Sequence, residues 1–242
     1  MEEKLVSVVV ITYNSAQYVE ETLESAKAQT YKNIELIIAD DGSTDDTVAI
    51  CEKWIKFNYQ RFVRTDLLTS ETNTGVSANC NRGLYASKGE WIKFIAGDDM
   101  LLNDCIENYM DFITTTNSRF IFAIPSILTQ SNDDLKIQME TFYIDSDKFF
   151  SLSPQKQLKY MLVNQIPVCP PTLFFYRDSI IDMNGFDQKF ACEDLPLYLC
   201  ASHKGHHLTL LKKKTVCYRV HENQLSKKGK KGLINEFWFY EQ

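Results

Sequence analysis

Several features that mark common protein classes are missing from this chain of 242 residues. No apolar run approaches the roughly 18 residues that suggest a membrane-spanning helix. The run "LVSVVVI" near the N-terminus is far shorter, follows Glu2 and Glu3, and has no small-residue cleavage site after it. We therefore expect a buried strand there, and no signal peptide or export address.

The cysteines lack any pairing pattern. Seven of them are dispersed along the chain and none forms a C-x-x-C pair. An odd, scattered set argues against a disulfide framework and against a cysteine zinc site, and reduced thiols are typical of cytoplasmic proteins. We therefore expect a cytoplasmic protein.

Both common glycine-based phosphate loops are missing as well. Where a dinucleotide-binding fold would show G-x-G-x-x-G after its first strand, this chain reads "TYNSAQ", and G-x-x-x-x-G-K-[ST] occurs nowhere. A nucleotide phosphate would therefore need a binding site of a different kind.

The composition is that of an ordinary globular protein, with 44% hydrophobic and 24% charged residues. The length allows one large α/β domain. The net charge of −6 hides a basic region between His203 and Gly232, where nine lysines and arginines face one acid, Glu222. Two interpretations stay open for this region: contact with phosphate groups or an anionic membrane surface, and a solvated lysine-rich loop.

Strand-like and helix-like runs alternate through the first hundred residues. We predict strands at 4–12, 34–39, 61–68 and 90–96, and helices at 15–29, 43–57 and 77–89. Further on we predict helices at 102–116, 154–166 and 193–205, and strands at 119–127 and 170–177. Because the early strands are apolar on both faces, the pattern predicts a mainly parallel sheet covered by helices on both sides.

Two of these apolar runs end in carboxylates. Ile37–Thr47 reads "IIADDGSTDDT" and Trp91–Leu101 reads "WIKFIAGDDML". Asp45 and Asp46 are explained by capping of the next helix, but the other acids need a different reason. The carboxyl ends of parallel strands share one rim, where ligands of open α/β sheets bind. A phosphate bound among these carboxylates would need a divalent cation with a preference for oxygen ligands, Mg²⁺ or Mn²⁺.

Four blocks of sequence together resemble the family 2 glycosyltransferases, inverting enzymes of the GT-A fold. The blocks are "VSVVVITYNSAQYVEETLESAKAQTYKNIELIIADDGSTDDT", "NTGVSANCNRGLYASKGEWIKFIAGDDML", "GFDQKFACEDLPLYL" and "YRVHENQLS". The resemblance covers residues 4 to 226. It implies a single GT-A domain over 1–242, with a nucleotide-sugar-binding half at 1–101, an acceptor-binding half at 102–226 and a basic, aromatic C-terminal segment at 227–242.

The resemblance also implies roles for individual residues on the donor side. The expected nucleotide-binding residues are Thr12, Tyr13, Asn14, Asp41, Gly75, Asn81 and Asp98. Asp41 would accept the ring N–H of a uracil-like base, and Asp40 would support the loop from behind. Asp99 would be the direct metal ligand, Asp98 would approach the ribose or the metal, and His221 would reach the diphosphate or the metal.

On the acceptor side, Glu193 and Asp194 match the family's acid pair, and Asp194 is the expected general base. Its position at the start of a helix favours an anion, so we expect it to remain charged. The chain departs from the family pattern at Ala96, where an Asp is common, and at Cys200, where an Arg is common. The Q-x-x-R-W motif and membrane helices of processive synthases are missing, which favours a single-transfer enzyme.

The implied activity is metal-dependent transfer of a sugar from a UDP-sugar, with Mn²⁺ or Mg²⁺ as cofactor, to a glycan, lipid-linked or protein acceptor in surface polysaccharide biosynthesis. The implied location is cytoplasmic, with peripheral contact to the inner face of the membrane through the basic region and no nucleic-acid partner. A sugar-nucleotide pyrophosphorylase is one alternative, but it would need a glycine-rich loop with a basic residue in place of "TYNSAQY". A non-catalytic nucleotide-binding relative is the other, and the intact "GDD" and "ED" pairs argue against it.

Overall fold

The structure, a computed structural model, describes residues 3–129, 146–164, 166–190 and 192–221. Within these ranges one sheet of eight strands runs in the order β3-β2-β1-β4-β7-β6-β8-β5. The strands are β1 (Val6–Thr12), β2 (Ile34–Asp40), β3 (Thr65–Thr69), β4 (Trp91–Ala96), β5 (Met100–Leu101), β6 (Phe120–Thr129), β7 (Phe174–Tyr176) and β8 (Leu208–Val220).

The predicted mainly parallel sheet is confirmed. Strand β1 pairs in parallel with β2 and β4, and β2 pairs in parallel with β3. The other half is mixed: β7 is antiparallel to both β4 and β6, whereas β6 and β8 are parallel. The division of the chain at residue 101 stays a prediction, since this one sheet contains strands from both sides of that position.

Eight α-helices lie among the described residues. They are α1 (Val19–Lys27), α2 (Thr47–Asn58), α3 (Val76–Ala86), α4 (Cys105–Thr115), α5 (Ser146–Phe150), α6 (Pro154–Met161), α7 (Arg177–Ile181) and α8 (Asp194–His203). Each helix predicted from the sequence is present, although α3 and α6 end earlier than expected. The short helices α5 and α7 and the long strand β8 were not predicted. None of the described helices is long and apolar enough to span a bilayer.

Alternate side chains of the central strands supply two apolar cores. Val8 and Val10 of β1 pack in the core that α1, α2 and α4 cover. Val9, between them, faces the core covered by α3 and α8. Burial of each such side chain stabilises the fold by about 1.5–3 kcal/mol, so a helix layer on each face follows from the uninterrupted apolar runs.

Helix α3 approaches the sheet so closely that one of its residues must lack a side chain. A Cβ atom at Gly83 would lie 2.4 Å from Cγ1 of Val9 on β1. This close contact sets the depth at which α3 lies on the sheet, and α3 carries several of the residues described below.

Strand β8 brings the end of the described chain back to the sheet, between β6 and the edge strand β5. It pairs with β6, with register shifts between Ala123 and Pro125, and it also pairs with the short strand β5. In that second pairing Met100 lies opposite Cys217. The residues that follow Cys217 therefore reach the acidic turn between β4 and β5.

Candidate active site

The carboxyl ends of β1, β2 and β4 form a continuous edge, which we call the carboxyl rim. Thr12 is in register with Asp40 on one side, and Ile11 is in register with Ala96 on the other. Beyond the strands, the amide of Asp41 donates to the Thr12 carbonyl at 3.0 Å. Both acidic clusters therefore lie at one edge, on either side of the end of β1.

Asp40 is buried and holds the loop that follows it. Its carboxylate accepts hydrogen bonds from Thr12 Oγ1 at 2.8 Å and from the Ser43 amide at 2.8 Å. The next turn passes through Gly42 at φ 76°, where a Cβ atom would lie 2.7 Å from the Thr72 carbonyl carbon. The expected supporting role of Asp40 is confirmed.

The carboxylate of Asp41 joins the first acidic cluster to the segment before α3. Its Oδ2 accepts from the amides of Thr74 at 3.0 Å and Gly75 at 2.8 Å, and its Oδ1 accepts from Thr74 Oγ1 at 2.5 Å. The Arg82 guanidinium lies farther away, 3.4 Å from Oδ1. The structure thus brings together Asp41 and Gly75, two of the residues expected at the nucleotide.

Tyr13 and Asn14 follow β1 on the same edge. The Tyr13 side chain is 46% exposed, whereas Asn14 has a left-handed backbone with φ 51°. Asn14 Oδ1 accepts from the Thr44 amide at 2.8 Å, and the Asn14 amide donates to Ser43 Oγ at 2.8 Å. Asn14 therefore fixes the loop between β2 and α2, and Tyr13 is left as an exposed ring beside it.

Asn81, expected at the nucleotide, bonds the backbone of Phe186. Its Nδ2 donates to the Phe186 carbonyl and its Oδ1 accepts from the Phe186 amide, both at 2.8 Å. Asn81 therefore holds the turn after α7, and its expected contact with the nucleotide stays a prediction. Its neighbour Asn79, to which no sequence motif pointed, is buried and donates to the Ala39 carbonyl at 2.8 Å. It also accepts a hydrogen bond from Arg82.

In the second acidic cluster the two aspartates have opposite environments. Asp98 is partly exposed, and its Oδ2 lies 2.9 Å from Nε2 of His221. Asp99 is only 1% exposed, and its Oδ1 accepts from the Arg219 amide at 2.8 Å. Burial, with the nearby charge of Asp98, raises the pKa of Asp99 to about 8. Asp98 therefore faces outward beside His221 and Asp99 faces inward, and the metal-binding roles expected of the two stay predictions.

Arg219 joins the end of β8 to this turn through hydrogen bonds, and no sequence motif pointed to it. Its Nε donates to the Asp98 carbonyl at 2.8 Å, and its Nη2 lies 2.6 Å from Oε2 of Glu21 on α1. The guanidinium also lies 4.5 Å from the centroid of the Tyr18 ring, which in turn contacts the His221 ring at 5.0 Å. The long strand β8, unrecognised in the sequence, is the element that carries this group.

Glu193 and Asp194 begin α8 as predicted, but their electrostatics differ from the expectation. The two carboxyl groups hydrogen-bond each other, and the Tyr198 hydroxyl donates to Asp194 Oδ1 at 3.3 Å. Burial raises the pKa of both, and the charge of Glu193 raises the pKa of Asp194 further. Loss of water therefore opposes the helix dipole at Asp194 and raises its pKa, and the expected ionised state of this carboxyl stays a prediction.

The acid pair lies near the carboxyl rim across α3. Cys80 of α3 is buried, and burial together with the charges of Glu193, Asp194 and Asp41 raises the pKa of its thiol. The Cys80 thiol therefore lies within electrostatic range of both the acid pair on α8 and the acid that follows β2.

Comparison with known proteins decides the family. The sequence model described as glycosyl transferase family 2 matches residues 7–184. The chain belongs to this family. It is 29% identical over 163 residues to a glycosyltransferase of Haemophilus influenzae, covering 67% of this chain and 62% of that protein. It is 29% identical over 239 residues to the UDP-Glc:alpha-D-GlcNAc-diphosphoundecaprenol beta-1,3-glucosyltransferase WfaP of Escherichia coli, covering 96% of this chain and 84% of WfaP.

Solved structures confirm the GT-A fold of this family 2 glycosyltransferase. Residues 1–349 of Staphylococcus aureus TarS in complex with UDP-GlcNAc give a TM-score of 0.70 at 20% identity, covering 91% of this chain and 60% of that one. The Pyrobaculum calidifontis mannosyltransferase PcManGT in complex with GDP-Man and Mn²⁺ gives 0.69 at 18% identity, covering 92% and 59%. The chain spans less than two thirds of the length of several of these proteins, among them the one from Haemophilus influenzae.

The carboxyl rim of this glycosyltransferase fits a divalent cation whose remaining ligands are phosphate oxygens of a bound substrate. Asp98 and His221 offer one carboxylate and one imidazole side by side. Among the described residues no group of three or more histidine, cysteine or acidic side chains is arranged as a metal site. Two protein ligands suffice for Mg²⁺ or Mn²⁺ when substrate phosphates and water complete the shell.

Two other groups of residues lie outside the site. His203, His206 and His207 lie at the end of α8 and before β8, where His207 Nε2 is 2.9 Å from the Phe150 carbonyl. Asp45 accepts from the Thr47 amide at 3.0 Å at the start of α2, as expected, whereas the side chain of Asp46, the N-cap residue, makes no capping hydrogen bond, so its expected capping role is wrong. The predicted C-terminal segment 227–242 lies outside the described residues.

Proposed function

We propose that this chain is an inverting glycosyltransferase that transfers a sugar from a UDP-sugar to a lipid-linked saccharide in surface polysaccharide biosynthesis. One observation carries the proposal: the parallel register of β1, β2 and β4 brings Thr12, Asp41 and Asp98 to one rim. Family membership supports the reaction class.

The uracil ring is proposed to bind beside Asp41. The Asp41 carboxylate holds the 74–75 segment through two amides, which gives the base a fixed wall. The contacts from Arg82 to Oδ1 are long, 3.4 and 3.5 Å, so this oxygen is the one that can exchange a donor for the ring N–H of uracil. Thr12, Tyr13, Asn14 and Gly75 are proposed to line this position.

The diphosphate is proposed to bind at Asp98 and His221. A bound Mn²⁺ or Mg²⁺ would stabilise the negative charge that develops on the departing UDP. Asp98 is the accessible carboxylate for this purpose, and His221 is held beside it. Asp99 is buried, so its proposed role is to hold the Arg219 amide and thereby the end of β8.

The acceptor hydroxyl is proposed to lose its proton to Asp194. A carboxyl group whose pKa is raised by burial is a stronger base than an exposed one, and general bases work best when their pKa lies near the operating pH. The Tyr198 hydroxyl orients the Asp194 carboxylate through a hydrogen bond. The neighbouring Glu193 carboxyl can hold a proton between itself and Asp194. The acceptor oxygen forms the new bond to the anomeric carbon as the bond to UDP breaks, which inverts that carbon.

Relatives support the choice of donor and acceptor class. WfaP is named for UDP-Glc and a diphosphoundecaprenol-linked GlcNAc, and it aligns with 96% of this chain. TarS, of the same fold, was solved with UDP-GlcNAc. Cytoplasmic location, with the basic C-terminal region at an anionic membrane surface, is proposed on the same ground, since a lipid carrier presents its phosphates at that surface.

Calorimetric titration tests donor binding. UDP is titrated into the protein with Mn²⁺ and with EDTA, and we expect binding only with the cation. Hydrolysis of a panel of UDP-, GDP- and dTDP-sugars then identifies the donor through slow attack by water, and proton NMR of the freshly released sugar reports its anomeric configuration. Tight binding of a nucleoside triphosphate without UDP binding would favour a pyrophosphorylase, and a released sugar with the configuration of the donor would exclude inversion.

A further inference from the structure

A second cavity, which we call the rear pocket, lies at the opposite edge of the sheet. Its volume is about 740 Å³, within the range of small-molecule sites. It is lined by Trp91, the first residue of β4, and by Tyr176, the last residue of β7. Asp98 lies beyond the other end of β4, about 20 Å away at the rise of an extended strand. The rear pocket is therefore separate from the proposed donor site.

Aromatic side chains form one wall of the rear pocket. The Trp91 ring stacks on Phe174 at 5.2 Å and meets the edge of Tyr176 at 5.4 Å, so its position is rigidly held. Its Nε1 is buried and has no hydrogen-bond partner among the described residues. The Trp91 side chain is only 5% exposed, so it supports the wall from behind and an occupant of the pocket does not reach this N–H. Tyr31 adds a further aromatic ring.

The remaining wall carries small polar groups and charges of both signs. Thr114 of α4 and Asn117 in the following loop bring a hydroxyl and an amide. The charged residues of the lining are Glu3, Lys4, Asp111 and Arg119, two acids and two bases. Because these charges balance, the pocket attracts neither a phosphate nor a cation strongly. Met110 and Ile113 of α4 add apolar surface to the same lining.

We propose that the rear pocket binds a neutral saccharide. A sugar ring presents apolar C–H faces to aromatic rings and hydroxyl groups to mixed donors and acceptors. The partly exposed rings of Tyr31 and Tyr176, with the polar groups of Thr114 and Asn117, offer this combination.

The consequence for the enzyme rests on the proposed function. An oligosaccharide acceptor or product bound in the rear pocket stays attached to the protein while its far end leaves and re-enters the carboxyl rim. The KM for long acceptors then falls through raised effective concentration, whereas donor hydrolysis is unchanged.

Saturation-transfer NMR on the full chain tests the site with maltotriose, cellotriose and chitotriose as probes. Thr114→Trp fills the pocket with an indole from an exposed position of α4, and Thr115→Trp, one residue along and outside the lining, is its matched control. We expect at least one trisaccharide to receive saturation from the wild type and from T115W, and at least a fivefold loss of that signal in T114W.

Three results would overturn the proposal: no transfer to any of the trisaccharides, equal transfer in T114W and T115W, or loss of transfer in Asp98→Asn, which would put the sugar at the carboxyl rim. UDP titration of the same samples distinguishes this failure from that of the proposed function. Saccharide binding without UDP binding leaves the rear pocket standing and removes the donor site, whereas the reverse pattern removes only the rear pocket.

Discussion

Nε2 of His221 lies 2.9 Å from Oδ2 of Asp98, although 123 residues separate them in the chain. The contact exists because β8 pairs with β5 directly after the acidic turn and because Arg219 bonds the backbone of that turn. A carboxylate and an imidazole held in this way are the two protein groups that the proposed diphosphate site requires.

Replacement of either residue should weaken metal-dependent nucleotide binding. For Asp98→Asn and His221→Gln we expect the Kd of UDP in the presence of Mn²⁺ to rise by at least about tenfold, which corresponds to one lost charged contact. Titration calorimetry measures this change, and His203→Gln, an exposed histidine at the end of α8, is the control. Unchanged affinity in Asp98→Asn would remove this carboxylate from the metal site.

The proposed base makes a prediction about rate. Asp194→Asn should fold normally and lose transfer by about 10²- to 10⁴-fold, the usual contribution of a general base. Asp182→Asn, an exposed carboxylate after α7, should retain full activity. Because the Asp194 pKa is raised, kcat/KM should increase with pH as the carboxyl loses its proton. Tyr198→Phe removes a hydrogen bond that lowers this pKa, so the rise of kcat/KM should move to higher pH. Turnover of Asp194→Asn at the wild-type rate would show that Asp194 is not the base.

Arg219 is predicted to be a positioning residue. Arg219→Ala removes the bonds to the Asp98 carbonyl and to Glu21, so we expect the Kd for UDP with Mn²⁺ to rise by about tenfold. Arg219→Lys keeps the charge without the planar fork and should rescue part of this loss. Glu21→Gln should have a smaller effect of the same kind. If all three variants bind UDP like the wild type while losing only thermal stability, the residue is merely structural.

A buried lysine predicts how stability depends on pH. Lys93 on β4 is fully buried, its Nζ donates to the carbonyls of Phe94, Pro171 and Leu173, and burial lowers its pKa to about 8. The unfolded chain keeps this proton up to a pH near 10.5, whereas the folded chain releases it near 8, so the contribution of Lys93 to the free energy of unfolding should rise between these values.

The rise should amount to about 3 kcal/mol at most, given about 1.4 kcal/mol for each pKa unit. Urea unfolding of the wild type and of Lys93→Met at several pH values measures it, and the variant should lack the slope. Lys53→Met, at an exposed position of α2, should keep it. A wild-type profile parallel to that of Lys93→Met would contradict the assignment.

The contact between α3 and β1 predicts a packing penalty. Gly83→Ala adds a Cβ atom 2.4 Å from Cγ1 of Val9, and we expect a loss of about 1–3 kcal/mol in the free energy of unfolding despite the better helix propensity of alanine. Val9→Ala removes the clashing methyl. The double variant should lose less free energy of unfolding than the sum of the two single losses, by more than about 0.5 kcal/mol. Strict additivity would mean that α3 shifts away from the sheet at no cost.

Local sequence determined the alternation of strands and helices and the placement of both acidic clusters at strand ends. The β1, β2 and β4 runs are apolar at nearly every position, and only a sheet covered on both faces can bury them. Asp41 and Asp98 then had to share one rim, because parallel strands end on the same side.

The tertiary structure alone decided which of the adjacent residues face that rim. Asp98 and Asp99 have the same chemistry, and their difference arises from β8, which covers one and leaves the other beside His221. Asn81 belongs to the clamp on Phe186, and the charge of Asp194 depends on how much water its neighbours exclude. Side-chain orientation and desolvation arise from elements distant in the chain, so no local pattern encodes them.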